Sequence, residues 1–336
     1  MGESLRAAVL DNRRLANRKP MPDDRIYPSL FSLYGLHTLE SFPRALWNQK
    51  PDVAIVSGGD GTLGYVVNAI RQKGGEPPVL YCRGGGSANT LLTDLVKQPK
   101  VEIPSHLQDI FREGEFEARH IHALVRETEW HGQERIAYGS YLVGFGHPTV
   151  EVTRVKESLY RKKGLHNTHR MYLIAGAISS ATLLFHRTQP EGLIYQNGEE
   201  SHHVKMTHAA GAAVFTTSGI GTFVFREQHA VPKDKVRLLT ISADSEPELI
   251  YKYNAALLVG LRDPDRAVEK GFIDVQDVDG VQVFPARPED PEQPNCCIDG
   301  ELARENGSIL LYRDTQLITA ILHVPLIEQY RKKQAA

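Results

Sequence analysis

Residues 57–62, Ser57-Gly58-Gly59-Asp60-Gly61-Thr62, put three glycines, two hydroxyls and one carboxylate into six consecutive positions. Glycines let a backbone approach a ligand closely, and where such a turn opens a helix the first amides supply donors and a partial positive charge. The chemistry on offer is anion binding, phosphate above all. Asp60 carries a negative charge into that setting, which is unfavourable unless it holds a cation such as Mg²⁺ or accepts a proton. A plain glycine turn with an Asp cap on the helix is the simpler alternative, and the six residues alone leave both open.

Two further stretches carry related chemistry. In Gly84-Gly85-Gly86-Ser87-Ala88-Asn89-Thr90, Ser87 and Asn89 can hydrogen-bond a ribose, a phosphate or a base edge, or can cap a helix. Asp299-Gly300-Glu301 lies far along the chain and by itself reads as an acidic hairpin turn.

The flanking residues say how these turns are held. Arg6 to Asp11, Asp52 to Ser57 and Pro78 to Cys82 are short apolar runs ending in polar residues, as buried parallel strands do. Between the second and third, Leu63, Val66, Val67 and Ile70 recur at helical spacing over Thr62 to Lys73, and Gly74-Gly75 stops the helix. Strand, glycine turn, helix and strand make a βαβ unit. The pattern then repeats: Ser87 or Asn89 caps a helix carrying Leu91, Leu92, Leu95 and Val96, which Pro99 closes. In a parallel sheet both glycine turns lie on one carboxyl edge, where ligands bind.

After a helical turn or two over Pro104 to Arg112, the character changes. Alternation up to Gly146, with a hairpin turn at Trp130-His131-Gly132-Gln133, marks a β-rich region. Helices are expected near Thr149 to Lys163, Thr168 to Phe185 and Glu246 to Leu261. Tyr195-Gln196-Asn197-Gly198 signals a hairpin, and β-prone runs follow at Val204 to Thr217, Val236 to Ser242, Phe272 to Val275, Gly280 to Phe284, Cys296 to Ile298 and Ile309 to Tyr312. The expected fold is an α/β N-terminal domain with a parallel sheet (1–116), then a mainly antiparallel β-rich domain (117–330) whose C-terminal strand returns to the first.

Composition narrows the function. With 336 residues, 41% of them hydrophobic, the chain can bury two cores, and a net charge of -2 gives no whole-chain attraction to nucleic acid. Cys82, Cys296 and Cys297 are too few and too poorly placed for a disulfide framework, so a reducing, cytoplasmic setting is expected, without a secretory signal. Cys296 and Cys297, adjacent on a strand, should turn one thiol inward. The apolar stretch Met171 to Phe185 is too short to span a bilayer and contains Ser179, Ser180 and Thr182. His202, His203 and His208 lack a metal-ligand spacing. The basic stretch Arg154, Lys156, Arg161, Lys162, Lys163 and Arg170 suits either a solvated face or contact with an anionic membrane surface.

The three turns, in this order, resemble the diacylglycerol kinase catalytic fold, shared by bacterial lipid kinases and by sphingosine and ceramide kinases, with a first turn also found in NAD kinases. Tyr138 to Gly146, ending Gly-Phe-Gly, matches the segment that opens that family's β-rich domain. The resemblance implies ATP and Mg²⁺ as cofactors and a lipid or other small-molecule hydroxyl as acceptor. It implies that Gly58, Gly59, Asp60, Gly61 and Thr62 hold the phosphates, and that Gly86, Ser87 and Asn89 place the nucleotide. Asp299 or Asp60 would take the acceptor's proton, with Glu301 near the phosphates. Four positions depart from the pattern: Gly64-Tyr65 stands for Asn-Glu, Thr90 for Asp, Lys233-Asp234-Lys235 for Asp-Asp-Gly, and Leu10-Asp11-Asn12 for an Asn-Pro turn. Phosphorylation of a soluble acceptor such as NAD, and nucleotide or lipid binding without turnover, are the competing expectations.

Overall fold

The structure, a computed structural model, describes residues 6–11, 32–37, 41–83, 90–128, 136–163, 168–183, 190–204, 209–220, 223–225, 231–286 and 293–335. In chain order the elements are β1 (Arg6–Asp11), β2 (Ser32–His37), α1 (Phe42–Gln49), β3 (Val53–Ser57), α2 (Asp60–Lys73), β4 (Val79–Cys82), α3 (Thr90–Lys97) and β5 (Phe116–Thr128). Next come β6 (Ile136–Ser140), β7 (Leu142–Phe145), α4 (His147–Lys163), α5 (Thr168–Leu183), β8 (Gly192–Asn197), β9 (Glu200–Val204) and β10 (Ala209–Phe215). The remainder are β11 (Gly219–Ile220), β12 (Phe223–Val224), β13 (Val236–Ser242), α6 (Glu246–Gly260), α7 (Pro264–Glu269), β14 (Asp274–Val278), β15 (Gly280–Phe284), β16 (Cys296–Ile298), β17 (Glu301–Ala303), β18 (Ile309–His323) and α8 (Val324–Ala335). Two compact units result, Met1–Ala123 with Thr315–Ala336, and Leu124–Asp314.

In the first unit β2, β1, β3, β4 and the end of β18 lie side by side in that order, each neighbouring pair parallel. Asp11 stands opposite Ser57, and Val56 opposite Cys82, so β1, β3 and β4 finish together at one edge. Strand β3 is buried at all five positions, which explains its unbroken apolar run. On α2 Leu63, Val66, Val67 and Ile70 are buried, and Gly74 ends the helix at φ 66°. One sheet face packs on Ile103, Leu107, Phe111 and Phe116, with Tyr81, Phe111 and Phe116 meeting edge to face at 5.1–5.8 Å. The helical turn or two expected over Pro104 to Arg112 is a 3₁₀ turn, Ser105–Leu107, followed by hydrogen-bonded turns that send Leu107 and Phe111 into this core.

The second unit contains a six-stranded sheet, β14-β13-β10-β7-β16-β17, and a second layer in which the start of β18 pairs with β15, β15 with β8 and β8 with β9. All of these pairings are antiparallel within the unit. Val143, Phe145, Val214, Leu238, Val281, Val283, Cys296 and Leu311 fill one core. The hairpin at Tyr195 to Gly198 forms, with Asn197 opposite Glu200 and Gly198 at φ 63°. Val204 to Thr217, read as one run, is two strands, β9 and β10. The hairpin expected at Trp130 to Gln133 lies outside the described residues.

Candidate active site

Strand β3 delivers Ser57 to the sheet's carboxyl edge, and Gly58 and Gly59 turn the buried chain into α2. Gly59 is extended (φ -94°, ψ -165°) and gives the helix no side-chain cap. The first helical hydrogen bond runs from the Leu63 N–H to the Gly59 carbonyl at 3.0 Å. The amides of Asp60, Gly61 and Thr62 therefore precede the helical ladder, at the positive end of the helix dipole, where an anion is favoured. Gly58 allows no side chain, because a Cβ there would lie 2.3 Å from the Thr62 Cβ.

The Asp60 carboxylate has a definite task. Its Oδ1 accepts from the Leu91 N–H at 3.2 Å, which ties the start of α2 to the start of α3. Gly86, Ser87 and Asn89 lie outside the described residues, but both helices that follow the glycine turns are thus joined at their N-terminal ends. Arg83, at the carboxyl end of β4, adds a buried cation whose Nη1 donates to the Ser57 Oγ at 3.4 Å. Arg83 was not singled out from the sequence as a site residue.

In the second unit Asp299 and Glu301 share the β16–β17 hairpin, where Ile298 pairs with Glu301. Asp299 (φ 51°) and Gly300 (φ 86°) are both left-handed, as a two-residue hairpin of this kind requires. The Asp299 N–H donates to the Leu142 carbonyl at 2.9 Å. Its Oδ1 accepts from the Ser140 hydroxyl (2.9 Å), the Tyr141 N–H (2.9 Å) and the Leu142 N–H (3.0 Å). Its Oδ2 takes no hydrogen bond from the described residues. Burial pushes the carboxyl up to about 7, against the opposing pull of those three hydrogen bonds and of the Arg126 charge. A carboxyl in that range holds both protonation states near neutrality, the condition for accepting a proton from a substrate hydroxyl. Glu301, by contrast, is exposed.

The segment Tyr138 to Gly146 is therefore what fixes Asp299. Its closing Gly146 (φ 88°) lies so close to β10 that a Cβ would meet the Ala210 carbonyl oxygen at 2.7 Å. Lys156 of α4 also reaches the hairpin, with its Nζ 3.8 Å from where a Cβ on Gly300 would stand. The sequence had counted Lys156 only as part of a basic stretch.

Other candidates are structural. Cys296 packs into the core, as expected of one thiol of the pair, and Cys297 is buried as well, on the α4 side of β16, where the Thr153 hydroxyl donates to its Sγ at 3.3 Å. Burial pushes the Cys82 and Cys296 thiols up to about 12, so both stay neutral. His202 stacks on Tyr195 at 4.9 Å, while His208 lies outside the described residues. In the Lys233-Asp234-Lys235 segment, Lys235 is paired with Asp279 at 2.5 Å and donates to the Asn197 side chain at 3.0 Å.

Comparison with known proteins adds a family and a fold. Residues 30–122 match the diacylglycerol kinase catalytic domain. No curated protein matches the chain. A diacylglycerol kinase from Bacillus anthracis str. Sterne superposes with TM-score 0.52 at 11% identity, over 95% of this chain and 97% of that one. A second protein of that strain, provisionally assigned as a diacylglycerol kinase, gives 0.56 at 14% identity, over 94% and 97%. Yeast NADH kinase, solved with NADH, gives 0.45 at 11% identity, over 96% and 84%. At these identities the likeness to the two Bacillus anthracis proteins is one of fold, and it is the fold that the turns implied. Over residues 30–122 the chain is similar to the diacylglycerol kinase catalytic domain, and the resemblance read from its motifs is borne out.

Proposed function

We propose that this chain is an ATP-dependent lipid kinase in which Gly58 to Thr62 bind the triphosphate and Asp299 takes the proton from the acceptor hydroxyl. The observation that carries the reading is the Asp299 carboxyl, buried, anchored among the described residues through Oδ1 and poised near neutrality. In the reaction the acceptor O–H bond breaks as its proton passes to Asp299. The oxygen bonds to the γ-phosphorus, and the bond from that phosphorus to the β-phosphate bridge breaks, leaving ADP. The first-turn amides of α2 and the Arg83 cation supply the positive potential that holds the phosphates in place.

Among the described residues no three His, Cys, Asp or Glu side chains form a metal cage. Nucleotide-bound Mg²⁺ needs no such cage, because it keeps water and phosphate oxygens as ligands and takes only one or two carboxylates. Asp60, at the mouth of the anion-binding turn, is the carboxylate that would hold it. The ion would neutralise charge on the transferred phosphoryl group.

The direct test incubates the purified protein with ATP, Mg²⁺ and a panel of lipid alcohols, with NAD as a soluble acceptor and Asp60→Ala as control. Labelled phosphate should reach a lipid, and the variant, which loses the Leu91 N–H acceptor as well as the carboxylate, should lose transfer. Transfer to NAD alone selects the soluble-acceptor alternative. Calorimetric ATP binding with no turnover on any acceptor overturns the kinase reading.

A lipid acceptor also favours peripheral contact between a cytoplasmic enzyme and a membrane surface. No helix among the described residues is long and apolar enough to cross a bilayer. The outward side of α5 is apolar, however: Leu173, Ile174 and Ile178 keep 39–42% exposure, and Ala177 and Ala181 between and beyond them are exposed too. Arg170 stands exposed near the start of that helix, and the preceding α4 carries Arg154, Lys156, Arg161, Lys162 and Lys163. An apolar stripe beside a basic run fits an anionic bilayer. Replacing Leu173, Ile174 and Ile178 together by Gln should weaken sedimentation with phosphatidylglycerol vesicles by about thirtyfold, ~2 kcal/mol, while sparing a short-chain soluble substrate. Unchanged vesicle binding would remove this surface from the account.

A further inference from the structure

Arg126 is an almost buried cation with two restraints. Its guanidinium lies 4.7 Å over the Tyr138 ring and is ion-paired with the Glu305 carboxylate. Glu305 is itself fixed: its N–H donates to the Asn295 Oδ1 at 2.9 Å, and Asn295 Nδ2 returns to the Glu305 carbonyl at 2.7 Å and to the Ala286 carbonyl at 2.9 Å. Asn295 is buried, so this clamp does not swing with solvent.

Strand register shows what the cation is near. Across β5 and β6, Arg126 pairs with Tyr138 and Leu124 with Ser140. Alternate residues of a strand share a face, so Arg126 is the diagonal neighbour of Ser140, the hydroxyl that donates to the Asp299 Oδ1. Burial lowers the proton affinity of the guanidinium, and the Asp299 carboxylate opposes that loss. Arg126 also keeps one N–H, at Nε, buried without a hydrogen-bond partner among the described residues. A cation retained at that cost calls for an account beyond packing.

The other titratable or charged groups beside Asp299 are Tyr141, whose hydroxyl donates to the Asp299 carbonyl at 3.4 Å, Cys297 from the adjoining strand β16, next to Cys296, and Lys156 from α4, whose Nζ approaches Gly300. The two thiols are neutral, and the strand β7 that donates the Leu142 N–H carries no titratable side chain. Arg126 is the permanently charged group whose field acts directly on the Asp299 carboxyl.

We propose that Arg126 is a positioning residue for phosphoryl transfer: clamped between Tyr138 and Glu305, it governs the protonation of Asp299 and so the pH at which that carboxyl can act as base. The proposal rests on the reading of Asp299 as proton acceptor and assigns the device that tunes it. Asp299 without this cation stays protonated to higher pH. With the cation freed from Glu305, Asp299 ionises at lower pH.

The test follows the Asp299 carboxyl by ¹³C NMR in aspartate-labelled protein, with Asp299→Asn identifying the signal, alongside the pH profile of transfer. In Arg126→Gln the titration midpoint should move up, in Arg126→Lys it should return towards wild type, and in Glu305→Gln it should move down. The acidic limb of the rate profile should move by the same amounts, with the Arg126→Gln rate recovering at high pH. An unmoved midpoint in folded Arg126→Gln, or in Glu305→Gln should the first variant not fold, overturns the proposal. A midpoint that moves while the rate profile stays fixed keeps Arg126 as the group that sets Asp299 protonation and instead removes Asp299 as the base.

Discussion

Asp299→Asn is expected to lower turnover by about 10²–10⁴-fold, the usual contribution of a placed general base, while making the protein more stable at neutral pH. The two effects share one cause. Asparagine keeps an oxygen to accept from Ser140 Oγ, Tyr141 N–H and Leu142 N–H, so the hairpin stays anchored. It cannot take a proton from an acceptor hydroxyl. It also cannot ionise, and it is ionisation of this buried group that burdens the fold.

The sign and window of the stability change follow from the proton balance. The carboxyl is raised from 3.8 to about 7 on folding, so between those values the folded chain holds a proton that the unfolded chain has released. Stability contributed by this group is therefore whole below pH 4 and is lost as pH rises through about 7. A shift of this size corresponds to roughly 4 kcal/mol as an upper bound. The advantage of Asp299→Asn over wild type should grow between pH 4 and pH 7 and then level off, which guanidinium unfolding at pH 4.5 and pH 7.5 measures. An equal difference at both pH values would mean that the carboxyl is not held in a protonated, desolvated state.

How much of this was visible in the sequence depended on whether a residue obeyed the pattern of its element. Strand β3 was readable because burial on both faces leaves Val53 to Val56 uninterrupted, and the glycine turn was readable because no other residue fits at Gly58. The long β18 was legible only as far as Tyr312. Beyond it come Arg313 and Asp314, polar in sequence yet buried, with the Arg313 Nη1 donating to the Pro232 carbonyl at 2.8 Å. Ser32–His37 and Phe42–Gln49 were too short for periodicity to mark. Arg83 and Arg126 were invisible as site residues for the same reason as Arg313. Patterning assigns arginine to the surface, and what buries these two is a tertiary partner: Ser57 for one, Glu305 and Tyr138 for the other. For Asp60 the sequence offered a cation, a proton or its own helix as partner. The structure adds the N-terminus of the following helix, a contact between stretches 31 residues apart.

Gly58→Ala should weaken nucleotide binding by a route separate from Asp299. No positive φ forbids a side chain there; the obstacle is space. An added Cβ would fall 2.3 Å from the Thr62 Cβ, 2.4 Å from its Oγ1 and 2.5 Å from its Cγ2. Thr62 is buried and β-branched, on the first turn of α2, so it has no free rotamer into which to retreat. The turn must open instead, at a cost of about 1–3 kcal/mol in stability, as for other overpacked sites. Opening displaces the amides of Asp60, Gly61 and Thr62 from the positions where they meet phosphate. A displacement of about an ångström at such a site costs roughly 10²-fold. Calorimetry should therefore show ATP affinity falling by about that factor in Gly58→Ala and staying near wild type in Asp299→Asn, because one residue shapes the anion site and the other handles the proton. Wild-type ATP affinity in folded Gly58→Ala would show that the triphosphate is held elsewhere, and the roles given to the turn and to Arg83 would go with it.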